Sequence, residues 1–354
     1  MGISRLALYA ELAGISVVEP ILVAAYEREE ERIWREGSGD SPHGQPWSTS
    51  FHASAFPGED SLACARQAVY GLMGLPNPEP FSPRVRAMFD LGKNLELDWV
   101  RRFASEGTLL SADQTASDDI QTSFADPEHW LTGASDAIIL PAFWRKGHCV
   151  EVKTTSAEKV AAMRNDLTQT PYSHAKYIRQ LKTYISLANE APFAPTVFLC
   201  SDSWAITKEI VPGSPLRWCP VHENVGCPIQ EVELEPPDDG TLIYSSREEP
   251  LTTASYYFCL DEEHMAAGRA KLAEYREAFL AGTIPEHPLE GQSKKWSAQP
   301  CLWCDFKKLG CKADYLAKVK MLADSNVIVS AQGIRENYDY EAARAAVLSR
   351  WETK

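Results

Sequence analysis

Residues 133–154 read GASDAIILPAFWRKGHCVEVKT. Two apolar runs, Ser135–Leu140 and His148–Thr154, flank a polar turn through Trp144, Arg145, Lys146 and Gly147, the pattern of a β-hairpin. Cys149, Val150 and Val152 suit a buried strand, yet Glu151 and Lys153 interrupt it with opposite charges. Side chains at i and i+2 of a strand leave the same face. A surface ion pair in that position would contribute little. The hairpin changes the reading, because it brings Asp136 opposite the neighbourhood of Glu151. Two converging carboxylates suit a hard divalent cation, Mg²⁺ or Mn²⁺. Such a cation would stabilise charge developing on a phosphodiester and help deprotonate a water, with Lys153 orienting that water or neutralising the phosphate.

The rest of the chain limits what this pair can serve. At 354 residues, 44% hydrophobic and 24% charged, it has ample material for a core and reads as one elaborated domain or two small ones. No stretch approaches the ~20 apolar residues of a membrane helix. The start, MGISRLALYAELAG, has neither a signal-peptide cleavage pattern nor a myristoylation pattern, so the expected location is cytoplasmic, with no membrane partner. The net charge of −14 argues against nucleic acid until its distribution is considered. Val221 to Glu263 holds eleven acids and the single base Arg247, which leaves the remainder at −4. Arg145 to Lys182 holds eight bases against three acids, and Leu289 to Lys320 seven against three. An acidic stretch on a locally basic body is compatible with a nucleic-acid groove, and equally with solvated charge.

Nine cysteines without a secretory signal point away from a disulfide framework. Cys149, Cys200 and Cys259 lie in apolar runs and read as packing residues. Cys219, His222 and Cys227 in RWCPVHENVGCP could ligate zinc, but no fourth ligand is evident locally. Cys301, Cys304 and Cys311 in PCLWCDFKKLGC can reach one metal centre, and Cys64 in SLACARQAVYGL is the best fourth candidate. Spacing alone does not separate zinc from iron–sulfur there.

Coarse patterning expects a helical N-terminal segment to about residue 36, helices near Cys64–Leu75, Val85–Ser105, Ser173–Ala188 and Glu262–Leu280, and strands in PTVFLCS and WAITKEIV. No repeat and no G-x-x-x-x-G-K-[ST] motif is present, so no ATP-driven motor is expected.

Asp136, Glu151 and Lys153, with Gly133 upstream, make a D-(x)n-E-x-K set that resembles the PD-(D/E)XK nucleases. Gln180 and Tyr184 in YIRQLKTYISLA match the Q-x-x-x-Y motif of the RecB-like branch, and their spacing puts both on one helix face. One cysteine before the core and three after it, with AGTIP ahead of the three, resemble the iron–sulfur subgroup of that branch, which includes AddB-type and CRISPR-associated Cas-four nucleases. The resemblance spans about Ser50 to Tyr315. It implies an α/β fold: a restriction-endonuclease-like core with a central mixed sheet flanked by helices, a helical N-terminal segment and an iron–sulfur clasp. It implies catalytic roles for Asp136, Glu151, Lys153, Gln180 and Tyr184, and metal binding at Glu96, Asp136, Glu151 and Val152. It also implies a [4Fe–4S] cluster on Cys64, Cys301, Cys304 and Cys311. Glu96 departs from the family pattern, in which a histidine follows the helix glycine by four. Here Gly92 is followed at that distance by Glu96, which is either an oxygen ligand in place of imidazole or a solvated helix residue.

The implied layout is a helical segment and linker (1–50), the nuclease core (51–215), an acidic insertion (216–260), a helix and cluster region (261–320) and a tail (321–354). The implied activity is Mg²⁺- or Mn²⁺-dependent exonucleolytic cleavage of DNA with single-stranded or free ends, in recombination, repair or CRISPR-type processing, including viral members. The competing expectation is a catalytically weak or inactive DNA-binding adaptor that keeps the scaffold. A homo-oligomer or a recombination or CRISPR protein partner fits either. Arg84, Arg86, Lys93, Lys176, Arg179 and Lys182 are candidate phosphate contacts, and Tyr177 and Trp144 candidate stacking residues, all equally readable as ordinary surface or core.

Overall fold

A computed structural model describes Arg28 and residues 49–57, 64–73, 83–110, 122–166, 168–169, 174–191, 196–249, 252–286 and 340–352. In chain order the elements are β1 (Phe51–His52), α1 (Ala65–Leu72), α2 (Pro83–Ser105), β2 (Thr122–Asp126), β3 (Leu131–Ser135), β4 (Ala137–Ile139), β5 (His148–Thr155), α3 (Ala157–Asn165), α4 (His174–Glu190) and β6 (Thr196–Cys200). They continue with β7 (Lys208–Glu209), β8 (Arg217–Trp218), β9 (Ile229–Glu233), β10 (Asp239–Ser246), β11 (Thr253–Cys259), α5 (Glu262–Leu280) and α6 (Tyr340–Glu352). The chain is thus mixed α/β. Among the described residues no helix is long and apolar enough to cross a membrane.

These elements fall into two compact units, one drawn from His52–Glu59 and Gly92–Arg269 and the other from Met1–Phe51, Asp60–Leu91 and Ala270–Lys354. The first contains a four-stranded mixed sheet in the order β11-β10-β5-β4. The expected hairpin is present: β4 runs antiparallel to β5, with Ala137 opposite Val150 and Ile138 opposite Cys149. On its other edge β5 pairs in parallel with β10, Leu242 opposite Glu151 and Tyr244 opposite Lys153. The parallel neighbour β10 runs along Cys149–Thr155, whereas the antiparallel β4 covers only His148–Val150. Val150 and Val152, on the face opposite Glu151 and Lys153, pack with Val100, Ala137, Trp99 and Phe103. The carboxyl-terminal turns of α2 thereby cover one side of the strand. Helix α4 buries an almost continuous run, Gln180, Leu181 and Thr183–Ala188, as a helix packed against strands on more than one side must.

A separate antiparallel hairpin, β2–β3, pairs Phe124 with Gly133. Gly133 is required by a close approach: a Cβ there would lie 2.7 Å from Cε1 of Tyr184 and 2.9 Å from Cβ of Ala53. Beyond α4, β6 pairs antiparallel with β9, and β7 with β8.

The second unit buries Val69, Tyr70, Leu72, Met73, Phe279 and Val347. Indole Nε1 of Trp351 donates to the carbonyl of Thr49 at 2.6 Å, and Nε of Arg66 to that of Pro285 at 3.0 Å. Cys64 is buried at the N-cap of α1. Cys301, Cys304 and Cys311 lie outside the described residues, as do the expected N-terminal helix, save Arg28, and the AGTIP-to-cysteine approach beyond Glu286.

Two expectations need correction. WAITKEIV contributes only the two-residue β7 and an isolated bridge of Ile206 to Leu199, because its remaining backbone turns away through Val211. The stretch set apart as an acidic insertion, 216–260, contains β9, β10 and β11, and β10 is an inner strand of the sheet. Glu231 and Glu233 lie on β9 and most of the other acids between strands, whereas β10 carries only Asp239. A charge count over the window therefore hides an apolar strand.

Candidate metal centre

Four elements bring the acidic residues to one amine. Asp136 occupies the single position between β3 and β4, and its Oδ2 accepts the backbone N–H of Val152 at 2.7 Å. That bond ties the first arm of the hairpin to the strand bearing Glu151 and Lys153. Nζ of Lys153 lies 2.6 Å from Oε1 of Glu151, 4.0 Å from Oδ2 of Asp136 and 3.8 Å from Oε1 of Glu96 on α2. Glu96 thus stands on the inner side of its helix, one turn after Gly92, which itself approaches Oγ1 of Thr154.

Glu151 is fully buried, and neither of its carboxylate oxygens makes a hydrogen bond. Nζ of Lys153 forms an ion pair with Oε1 at 2.6 Å, and Oε2 has no hydrogen-bond partner. A buried carboxylate in that condition is costly unless something else neutralises it. Burial raises its pKa first, repulsion from Asp136 adds to that, and Lys153 offsets only part, leaving it at about 8. Burial and then Asp136 raise Glu96 likewise. Burial also raises Asp136, against the pull of Lys153 and the Val152 N–H. Burial works against the charge on Lys153, but the three carboxylates outweigh it and hold its pKa well above the usual value. Three acids therefore share one ammonium.

On α4, Nε2 of Gln180 donates to the hydroxyl of Tyr184 at 2.7 Å, and both side chains are buried. Burial raises the Tyr184 phenol strongly, and the charge of Glu151 raises it further, so the tyrosine stays protonated. Nζ of Lys153 lies 5.5 Å from the ring centroid of Tyr177, which continues into Tyr244 at 6.3 Å. Trp144 is exposed, stands edge-on to His148 and lies 5.9 Å from Nζ of Lys146. Among the basic candidates, Lys182 is engaged with Asp261 at 2.5 Å. Lys93 is exposed on α2 and draws the Glu96 carboxyl downward.

A second group of ligand-type side chains lies elsewhere in the same unit. Cys200, Cys219, His222 and Cys227 place one donor atom each within 4.8 Å of one another, a set that could hold a metal ion. Cys200, read from its apolar strand as a packing residue, belongs to this group. It went unrecognised because it ends β6, nineteen residues before Cys219, whereas a local motif search looks within a few residues. The β6–β9 pairing, with Cys200 opposite Ile229, brings it beside Cys227.

No family model matches the chain, and no curated protein matches it. Among solved structures the chain is similar to the crystal structure of LHK-Exo in complex with dAMP, with a TM-score of 0.31 and 10% sequence identity, over 66% of this chain and 89% of that one.

Proposed function

We propose that this chain is a metal-dependent deoxyribonuclease on a PD-(D/E)XK core of the RecB-like branch. The reading is carried by one observation: an oxygen of each of Glu96, Asp136 and Glu151 lies within 4.0 Å of the single amine of Lys153. Fully ionised, that group has an excess of two negative charges in a buried place. The unpartnered Oε2 of Glu151 is an orphaned polar atom of the kind a cation satisfies. A hard divalent ion fits an all-oxygen donor set, so Mg²⁺ or Mn²⁺ would be held by Glu96, Asp136 and Glu151, with the main chain at Val152. Bound there, it supplies Lewis-acid stabilisation of a phosphoryl oxygen and a more acidic water. Lys153, held cationic by its neighbours, neutralises the phosphate or orients the water. The Val152 N–H fixes Asp136, and the Gln180 amide fixes the Tyr184 hydroxyl, which burial keeps protonated.

DNA with single-stranded or free ends is the substrate class this reading favours. The excess of bases over acids between Arg145 and Lys182, and Tyr177 beside Lys153, are consistent with a strand entering there. The same reading gives Cys64, Cys301, Cys304 and Cys311 to a [4Fe–4S] cluster, for which the buried Cys64 is a suitable thiolate. The test is cleavage of end-labelled single- and double-stranded DNA with Mn²⁺ by wild type and Lys153→Ala. Loss of Mn²⁺-dependent cleavage in the variant, with its circular dichroism unchanged, is expected. DNA binding without cleavage by the wild type would favour the adaptor alternative.

A further inference from the structure

We infer that Cys200, Cys219, His222 and Cys227 form a closed structural zinc site, independent of the acidic centre. The geometry of the donors carries it. Nδ1 of His222 lies 3.5 Å from Sγ of Cys200, 3.6 Å from Sγ of Cys219 and 3.1 Å from Sγ of Cys227. Zinc bonds of about 2.3 Å to sulfur and about 2.0–2.1 Å to nitrogen, set tetrahedrally, require N···S edges of about 3.5 Å and S···S edges of about 3.8 Å. Two of the three N···S separations coincide with that edge. All four donors already lie within 4.8 Å of one another, so closure needs sulfur movements of only about 1 Å.

Hydrogen bonding does not account for the cluster. A neutral imidazole nitrogen can bond one thiol well, and thiols are weak donors and acceptors. None of the three cysteines is in a disulfide. Beyond that nitrogen the Cys227 thiol reaches Oδ1 of Asn224 at 3.2 Å and Sγ of Cys219 only Oγ of Ser203 at 3.8 Å, weak thiol contacts that do not explain why three sulfurs converge on one imidazole.

The chain is shaped to present them. Cys200 ends β6, while Cys219 and Asn224 form a bridge in which the Cys219 N–H donates to the Asn224 carbonyl at 2.9 Å. The turn between them carries His222 back toward Cys219 and is completed by Glu223 at φ 49°, a left-handed conformation. Oδ1 of Asn224 accepts the Gly226 N–H at 3.0 Å and the Cys227 thiol at 3.2 Å, which ties Cys227 to the turn. Oγ of Ser203 lies 3.8 Å from Sγ of Cys219, an outer contact of the kind that orients thiolates.

The surrounding segment has little else to hold it. Its small core consists of Cys200, Ala205 and Cys219 with Cys227 against it, while Val211, Leu216, Trp218, Val221 and Val225 are exposed. Small lobes with so little buried apolar area are commonly stabilised by metal. Three thiolates and a neutral imidazole complete a closed Cys₃His shell, which favours Zn²⁺ in a structural role. Binding releases the three thiol protons to solvent and leaves the site with one net negative charge.

The test uses the full chain with its zinc exchanged for Co²⁺, whose tetrahedral thiolate spectrum reports the donors directly. Wild type should take up cobalt with intense visible d–d bands and a thiolate charge-transfer band. Cys219→Ser and His222→Ala should lose or shift them, His222→Cys should restore a four-thiolate spectrum, and Cys304→Ser should leave them in place. Because His222 is exposed, His222→Ala keeps the test valid should Cys219→Ser fail to fold. Mn²⁺-dependent cleavage should persist in His222→Ala, which separates this site from the acidic one. A wild type without the tetrahedral spectrum, or one that Cys304→Ser abolishes while His222→Ala leaves it unchanged, would overturn the assignment.

Discussion

Nζ of Lys153 and Oε1 of Glu151 stand 2.6 Å apart on alternate residues of one strand, and the second oxygen of that carboxylate has no partner. The lysine therefore faces one oxygen of the acid and leaves the other without a hydrogen-bond partner. Addition of Mn²⁺ to chelator-treated protein should raise its melting temperature in wild type but not in Glu151→Ala, since a ligand that binds only the folded state stabilises it by mass action. An equal shift in both proteins would remove Glu151 from the metal site.

Lys153 is not a ligand on this reading. Lys153→Ala should keep the Mn²⁺-induced thermal shift and lose about 10²–10³-fold in cleavage rate, the scale of removing one preorganised electrostatic group. Cleavage assays and calorimetry on the same preparation would separate the two effects. A variant that cleaves at the wild-type rate would release Lys153 from the chemistry.

Glu96 is the residue on which the sequence left two options open. Its carboxylate is 3.8 Å from Lys153 and partly buried, so it is not a freely solvated helix residue. Glu96→Ala should weaken Mn²⁺ binding, and Glu96→His should recover part of it, as read by isothermal titration. Unchanged affinity in the alanine variant would leave Glu96 as a partner of Lys153 alone.

Gly133 and Tyr184 form a size-matched pair. Gly133→Ala places a methyl group 2.7 Å from the tyrosine ring and 2.9 Å from Ala53, and should cost about 1–3 kcal/mol. Tyr184→Leu in that background should recover part of the loss in chemical denaturation. No recovery would move the strain to Ala53.

Asp126 supplies the pH dependence. Burial raises its carboxyl, but hydrogen bonds from His129 and the charge of Arg269 outweigh that and hold it below its usual 3.8. Nε of Arg269 donates to Oδ2 at 2.8 Å. A depressed carboxyl stabilises the fold above its unfolded pKa, and the contribution is lost as pH falls through the folded value. Asp126→Asn should therefore cost about 2 kcal/mol near pH 7 and much less near pH 2, measured by urea denaturation at both. A pH-independent difference would show that its shape, not its charge, matters.

What could be read from the residues, and what could not, follows the distance over which each signal acts. The β4–β5 hairpin was legible because its alternation and turn lie within twenty-two consecutive residues. The α2, α4 and α5 helices were legible from their spacing, to within a few residues at their ends. Strand β10 was not, since its pairing with β5 is parallel and crosses about ninety residues, and its acidic flanks masked it. The β2–β3 hairpin was missed for a different reason: LTGAS is too small and polar to announce a strand. The Cys200 donor was hidden by the same apolar surroundings that make β6 a strand.

The parallel pairing of β10 with β5 also dictates an order of events in synthesis. The hairpin that carries Asp136, Glu151 and Lys153 emerges from the ribosome long before Asp239–Ser246, and until then one edge of β5 has no neighbour. At roughly 5–20 residues per second, the intervening ninety residues take about 5–20 s to appear. Through that interval the carboxylates and the lysine are exposed on a two-stranded ribbon, too small to persist as a sheet. Strand β5 therefore matures late, and chains released before residue 246 would carry its charged side chains on an open, aggregation-prone edge.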